Sequence, residues 1–177
     1  MTDTDAGQGA PTNGQAAPDQ GIRILAQFIR DFIGRYKSRS TILFYELTNE
    51  MNLAADLDMG KRYCKVTSCV WEDFTTAEMT GFAREIVGLI KSLDAGHPVS
   101  SGYSLGHTAA SHLQRRPEFA AGGPDWTPDT EPDLARYLSD IHEPFDIVSV
   151  HLYPKPEATL FGRILRFVEN LGLFREF

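Results

Sequence analysis

The chain has 177 residues, of which 42% are hydrophobic and 23% charged, a balance typical of a globular protein. Its formal net charge of -7 excludes the basic surface that phosphate backbones attract, so no nucleic-acid partner is predicted. No apolar run approaches the roughly 18 residues of a membrane span, and the N-terminus lacks the basic start and apolar core of a secretory signal, so no membrane association is predicted either.

The N-terminal segment and the first apolar pattern differ sharply in composition. Residues 1–20 are mainly Gly, Ala, Pro, Gln, Asp and Thr, which predicts a disordered tail. Apolar residues then recur at spacings of three and four and predict a helix that ends in the polar segment KSRS. The apolar residues of this helix are Ile22, Leu25, Phe28, Ile29, Phe32, Ile33 and Tyr36.

The next elements are a strand and a capped helix. The segment 41–47, TILFYEL, is dense in β-branched and aromatic residues, which predicts a strand buried on both faces in a parallel sheet. Thr75 and Glu78 form a capping-box pattern before a second helix, which Gly96 and Pro98 end. The apolar residues of that helix are Met79, Phe82, Ala83, Ile86, Val87, Ile90 and Leu93.

The second half of the chain repeats this alternation. PVSSGYS predicts a short strand, and the Gly-, Pro-, Ser- and His-rich segment 105–129 predicts a functional loop. Pro132 marks the start of a third helix, the segment FDIVSVHLY predicts a strand, and 160–171 has helical spacing again. Alternating helices and strands predict an α/β fold with parallel strands covered by helices.

Polar side chains collect where two of the predicted strands end. TILFYELTNE places Asn49 and Glu50 at the end of the first, and the two-residue period of DIVSVHLYP puts Ser149, His151 and Tyr153 on one face. The carboxyl ends of parallel strands converge on one crevice. The sequence therefore predicts that a carboxylate, an amide, an imidazole and a phenol share one pocket.

Both motifs resemble those of glycoside hydrolase family 5, the cellulase-like retaining glycoside hydrolases with a β/α barrel. YELTNE is similar to the Phe/Tyr-Glu-x-x-Asn-Glu signature of their fourth strand, and VSVHLYP is similar to the His-x-Tyr segment of their sixth. The resemblance covers about 22–177. It implies a partial (β/α)8 TIM barrel, roughly strands four to six with flanking helices, in a catalytic domain over 21–177.

The resemblance also implies roles for individual residues. Glu50 would be the general acid/base, which protonates the glycosidic oxygen and then deprotonates the incoming water. Asn49 would bind the sugar 2-hydroxyl, His151 would bind substrate or hold a carboxylate, and Tyr153 would orient the nucleophile. Trp126 is a candidate for stacking on a sugar ring. The implied substrate is a β-linked polysaccharide, β-glucan first and β-mannan second, and members of the family are often secreted.

A retaining glycosidase also needs a nucleophilic carboxylate about 5–5.5 Å from the acid/base. Glu46 precedes Glu50 by about 13 Å of strand, so we interpret it as a hydrogen-bonded structural residue. Glu169 and Glu176 lie in the C-terminal helical pattern, and the glutamate of the family's seventh strand has no counterpart. The chain is therefore expected to be part of a longer enzyme or a truncated product, with little activity alone and with exposed strand edges that favour self-association.

Other interpretations of these residues stay open. Asn49 and Glu50 can simply cap the following segment, and His151 can be a core histidine with satisfied nitrogens. The chain can also be a non-catalytic carbohydrate-binding module that keeps part of an old pocket. A further interpretation, an unrelated doubly wound α/β domain, is disfavoured because no Gly-rich phosphate loop follows any predicted strand.

No metal or cofactor is predicted. Cys64 and Cys69 are close enough in sequence for a disulfide, but two thiols supply only half of a zinc site. His107 and His112 have no acidic or thiol partner at ligand spacing.

Overall fold

A computed structural model of the chain describes residues 18–63 and 73–152. Five α-helices and a two-stranded sheet make up most of this part, together with one 3-10 turn at Met51–Leu53. The helices are α1 (Pro18–Tyr36), α2 (Met59–Tyr63), α3 (Thr76–Leu93), α4 (Ala110–Arg115) and α5 (Glu131–His142), and the strands are β1 (Tyr45–Glu46) and β2 (Val99–Ser100). No helix in the described ranges is long and apolar enough to cross a membrane.

The three long helices form where the apolar spacing predicts them. α1 begins at Pro18, inside the segment predicted to be a tail, and it buries Ile29 and Ile33. α3 has the predicted capping box, in which Thr75 and Glu78 each bond the other's backbone amide. α5 has a second capping box, between Thr130 and Asp133, which the sequence analysis missed.

A buried carboxylate supports the start of α3. Asp56 is 2% exposed, and its two oxygens accept hydrogen bonds from the backbone amide and the hydroxyl of Thr76. Burial raises the pKa of the Asp56 carboxyl, because its effect is larger than that of these hydrogen bonds, which act to lower the pKa. The carboxylate thereby satisfies one of the free amides at the helix N-terminus.

The sheet is parallel, as predicted, but short. Tyr45 is in register with Val99, and Glu46 with Ser100. Tyr45 is buried, whereas Leu43 and Phe44 of the same predicted strand are exposed. The expectation that 41–47 is buried on both faces is therefore wrong.

The predicted partial (β/α)8 TIM barrel is also wrong. The described residues are 49% helix and 6% strand, and they contain only this two-stranded sheet. In the described part of the predicted strand FDIVSVHLY, residues 145–152, there are isolated parallel bridges, Ser100 with Ile147 and Ser104 with His151, and no continuous ladder.

Side chains explain why the third ladder is interrupted. The Asp146 carboxylate accepts the backbone amide of Val99 at 2.8 Å, and the Ser149 hydroxyl accepts that of Gly102 at 3.0 Å. These amides would otherwise donate to backbone carbonyls of a neighbouring strand. Polar side chains within 146–149 thus take the place of regular strand pairing.

Three apolar clusters lie among the described residues, and the two larger ones hold the long helices together. The first lies between α1, α3 and the sheet and comprises Ile29, Ile33, Tyr45, Ile86, Val87, Ile90 and Val99. The second joins α3, α4 and α5 and comprises Ala55, Met79, Tyr103, Ala110, Tyr137 and Ile141. The segment 100–104 runs beside the second cluster and is hydrogen-bonded to Asn52, Ser149 and His151.

Candidate functional site

The structure brings together the two motifs that the sequence analysis singled out. The Glu50 carboxylate oxygen Oε1 lies 3.1 Å from Nδ1 of His151, although 101 positions separate the two residues. The His151 side chain is 27% exposed and that of Glu50 is 22% exposed. The pair is thus partly shielded but open to a ligand.

The backbone at Glu50 is in the left-handed region, with φ 57° and ψ 25°. This conformation is uncommon for a residue with a side chain, and it concentrates at functional sites. The Glu50 amide donates to the Gly102 carbonyl at 2.7 Å, and the Glu50 carbonyl accepts from the Leu53 amide at 3.0 Å. The surrounding hydrogen bonds therefore hold a conformation that Glu does not prefer.

The alternative that Glu50 serves as a helix cap is not supported by its contacts. Glu50 does occupy the N-cap position of the 3-10 turn, but its side chain makes no capping hydrogen bond. Its carboxylate is directed to His151 instead. Asn49 is exposed, one position before the cap, so its side chain is open to a ligand.

His151 is held by the segment that precedes the 105–129 region. Its backbone amide donates to the Tyr103 carbonyl at 2.9 Å, and its carbonyl accepts from the Ser104 hydroxyl at 3.3 Å. From the other side, the imidazole of His142 lies 3.0 Å from the Ser149 carbonyl. Burial lowers the pKa of His142, although its two carbonyl partners, Leu138 and Ser149, act to raise it.

Asn52 supports the same site, and the sequence analysis did not find it. It is 1% exposed, and its side-chain amide bonds both backbone groups of Ser104, donating at 2.7 Å and accepting at 2.9 Å. This pair of hydrogen bonds fixes the turn after Glu50 to the segment that also positions His151. The sequence signal was an amide two residues beyond the motif, which the family resemblance did not include.

Trp126 lies next to His107, which contacts the turn at Met51–Leu53. Trp126 is 42% exposed, and its ring is roughly perpendicular to that of His107 at a centroid distance of 6.4 Å. Nε2 of His107 lies 2.9 Å from the Leu53 carbonyl, so the turn at Met51–Leu53 connects Trp126 to Glu50 through one side chain. Tyr153, the remaining predicted site residue, lies outside the described residues, as do Cys64 and Cys69.

Two further expectations concern acidic and metal-binding groups. Glu46 is exposed, and within the described ranges its carboxylate makes no hydrogen bond, so its interpretation as a hydrogen-bonded structural residue is not supported there. His112 does have an acidic partner, because Nδ1 lies 2.7 Å from a carboxylate oxygen of Asp129. No group of three or more His, Cys, Asp or Glu among the described residues is arranged to hold a metal ion.

Comparison with known proteins assigns no family to the chain. No protein-family model matches it, and no curated protein or solved structure matches it. Inference about function therefore depends on the motifs and on the geometry around Glu50 and His151.

Proposed function

We propose that the chain acts on β-linked polysaccharide as a glycoside hydrolase, with Glu50 as the group that transfers the proton to the glycosidic oxygen. The observation that carries the proposal is the 3.1 Å contact between Glu50 and His151. It joins the two segments that resemble a glycoside hydrolase, and the unusual backbone of Glu50 supports a functional role for that residue.

The contact leaves one carboxylate oxygen available for chemistry. When Nδ1 of His151 carries a hydrogen, it donates to Oε1 of Glu50 and orients the carboxyl group. Oε2 makes no hydrogen bond with any described residue, so it can carry the proton that the leaving sugar takes. The resulting carboxylate can then accept a proton from the water that attacks.

A retaining mechanism needs a second carboxylate about 5–5.5 Å from the first. Within the described ranges, no acidic side chain bonds the Glu50–His151 pair, and Glu46 lies on the strand that leads to Glu50. The family resemblance puts the nucleophile on a strand after the one that carries His151, so we propose that it comes from outside the described residues.

The test supplies a small external nucleophile. The purified chain is incubated with aryl β-cellobioside and aryl β-mannobioside, with and without sodium formate, which can replace a missing carboxylate. We expect aryl release that depends on formate, and we expect Glu50→Gln to lower its rate roughly 10²–10⁴-fold, because the substitution removes general acid catalysis.

The matched control is Glu46→Gln, the same change four residues earlier on an exposed side chain. It should leave the rate unchanged. Equal rates for Glu50→Gln and the unmodified chain, or no aryl release in any condition, would count against catalysis by Glu50.

Carbohydrate binding without turnover is a second candidate function. The observation in its favour is Trp126, whose ring is exposed yet held by His107. Affinity for soluble glucan that survives Glu50→Ala and is lost in Trp126→Ala, with no hydrolysis, would favour this function over the first.

A further inference from the structure

An exposed apolar surface on α1 is not part of the candidate site. Ile24, Phe28, Phe32 and Tyr36 follow one another at every fourth position, which places them in one row along the helix. The rings of Phe28 and Phe32 have centroids 5.8 Å apart, and those of Phe32 and Tyr36 are 4.9 Å apart. The aromatic rings therefore form a continuous row.

The exposed apolar surface continues onto the two residues that immediately precede β1. Leu43 and Phe44 are exposed, and Phe44 lines a groove of about 310 Å³ together with Leu25, Phe28 and Phe32. We call the six exposed residues the α1 patch, and their exposed fractions range from 37% to 76%. The members of the α1 patch are Ile24, Phe28, Phe32, Tyr36, Leu43 and Phe44.

We propose that the α1 patch is the interface of a two-fold homodimer. A two-fold interface requires one surface that is complementary to itself. The α1 patch has this property, because Phe28 projects into solvent, 61% exposed, directly beside a groove of a size to receive an aromatic side chain. Phe28 of each copy would fill the groove of the other.

The area of the α1 patch agrees with this occupant. With about 200 Å² for a fully exposed aromatic side chain, the exposed fractions correspond to roughly 600 Å² per copy, or about 1,200 Å² for two copies. Specific interfaces begin near this size, whereas a patch of this extent is at the upper end for a monomer.

The charges beside the α1 patch also permit self-pairing. The helical period places Arg23, Asp31 and Arg35 in the row next to the aromatic one, so the border carries both signs of charge and a net charge of only +1. The other basic residue of α1, Arg30, lies on the opposite side of the helix. Because this border mixes acidic and basic residues, it is not the uniformly basic border that would favour an anionic membrane surface over a second copy.

The proposal is tested with the full chain by light scattering during size exclusion, over a series of concentrations. We expect a mass that reaches twice 19.7 kDa and stays there. Phe28→Glu and Ile24→Glu should each return the mass to that of the monomer, while circular dichroism remains unchanged. Phe119→Glu is the matched control, since Phe119 is an exposed aromatic residue outside the α1 patch, and it should remain dimeric.

Three results would overturn the proposal. They are a monomer at every concentration, a dimer that survives both substitutions in α1, and association that continues beyond twice the monomer mass. The last result would indicate open-ended association through strand edges.

Discussion

A methyl group added at Gly102 would lie 1.9 Å from the carbonyl oxygen of Thr48. Gly102 also has φ +69°, and its carbonyl accepts the Glu50 amide at 2.7 Å while its own amide donates to the Ser149 hydroxyl at 3.0 Å. This residue therefore sets the distance between the segment that carries Glu50 and the segment that carries His151.

Gly102→Ala should destabilise the protein strongly. The substitution combines a side chain in the left-handed region with a clash against backbone, and we expect a loss of roughly 2–5 kcal/mol in the free energy of unfolding. Urea denaturation followed by circular dichroism measures it. Gly88→Ala is the matched control, because Gly88 is exposed in α3 with nothing within 4 Å, and it should gain about 0.5–1 kcal/mol. An unchanged midpoint for Gly102→Ala would contradict the role given to this glycine.

The helices were predictable because their signals are local. The capping box of Thr75 and Glu78 and the apolar spacing of α3 depend only on neighbouring residues, and both predictions are confirmed. The barrel prediction needed information about long-range pairing, which short sequence patterns do not contain. Nothing in DIVSVHLY indicates that Asp146 and Ser149 would bond the amides of Val99 and Gly102 in place of a third strand.

Asn52→Ala should cost about 2–4 kcal/mol of stability. It removes both partners of the buried Ser104 backbone groups and leaves a donor and an acceptor without hydrogen bonds. Asn52→Asp should cost less at low pH than near neutral pH, because only the protonated carboxyl can donate to the Ser104 carbonyl. The unfolding midpoints of the two variants, measured at low pH and near neutral pH, test these expectations. Identical midpoints for Asn52→Ala and the unmodified chain would contradict the role of Asn52 in stabilising the segment that contains Ser104.

Asp94 should make the protein sensitive to acid. Burial acts to raise the pKa of Asp94, but hydrogen bonds from Tyr45, His97 and Gly96 have the larger combined effect. They lower this pKa from 3.8 to about 2. Below pH 3.8 the unfolded chain takes up a proton that the folded chain excludes, so stability present above that pH is lost as the pH falls towards 2.

Asp94→Asn should remove this dependence. We expect the variant to be about 1–2 kcal/mol less stable near neutral pH, because an amide accepts these hydrogen bonds less strongly than a carboxylate. Its loss of stability between pH 3.8 and about 2 should be smaller than that of the unmodified chain. Urea titrations across this range decide the point, and parallel curves for the two proteins would contradict it.

His142 should contribute a second dependence, at higher pH. Burial lowers the pKa of its imidazole from 6.5, so below pH 6.5 the unfolded chain binds a proton that the folded chain does not. Stability linked to His142 is therefore present above pH 6.5 and decreases on acidification. His142→Phe keeps a ring against Tyr103 and should show a shallower decrease, although it is less stable overall because the hydrogen bond to Ser149 is lost. A steeper decrease of stability on acidification in His142→Phe than in the unmodified chain would contradict a lowered pKa for His142.

The candidate site was predictable to the extent that it follows from motifs. Glu50 and His151 lie in contact, as the convergence of two strand ends predicts, even though the barrel expected to bring them together is absent from the described residues. Asn52 and Gly102 were not found. Asn52 contacts Ser104 and Gly102 lies against Thr48, in each case across about fifty positions of chain. No local sequence pattern predicts such contacts.

A comparison of Glu50→Gly with Glu50→Ala separates a functional residue from a structural one. Glycine removes the strain of the left-handed backbone, whereas alanine keeps it, and both substitutions remove the contact with His151. Glu50→Gly should therefore be about 1 kcal/mol more stable than Glu50→Ala and at least as stable as the unmodified chain, because the lost contact is partly exposed and contributes little. Both variants should lose the formate-dependent aryl release. If Glu50→Gly is instead markedly less stable than the unmodified chain, the carboxylate holds the fold together, and the strain at Glu50 gives no support for catalysis.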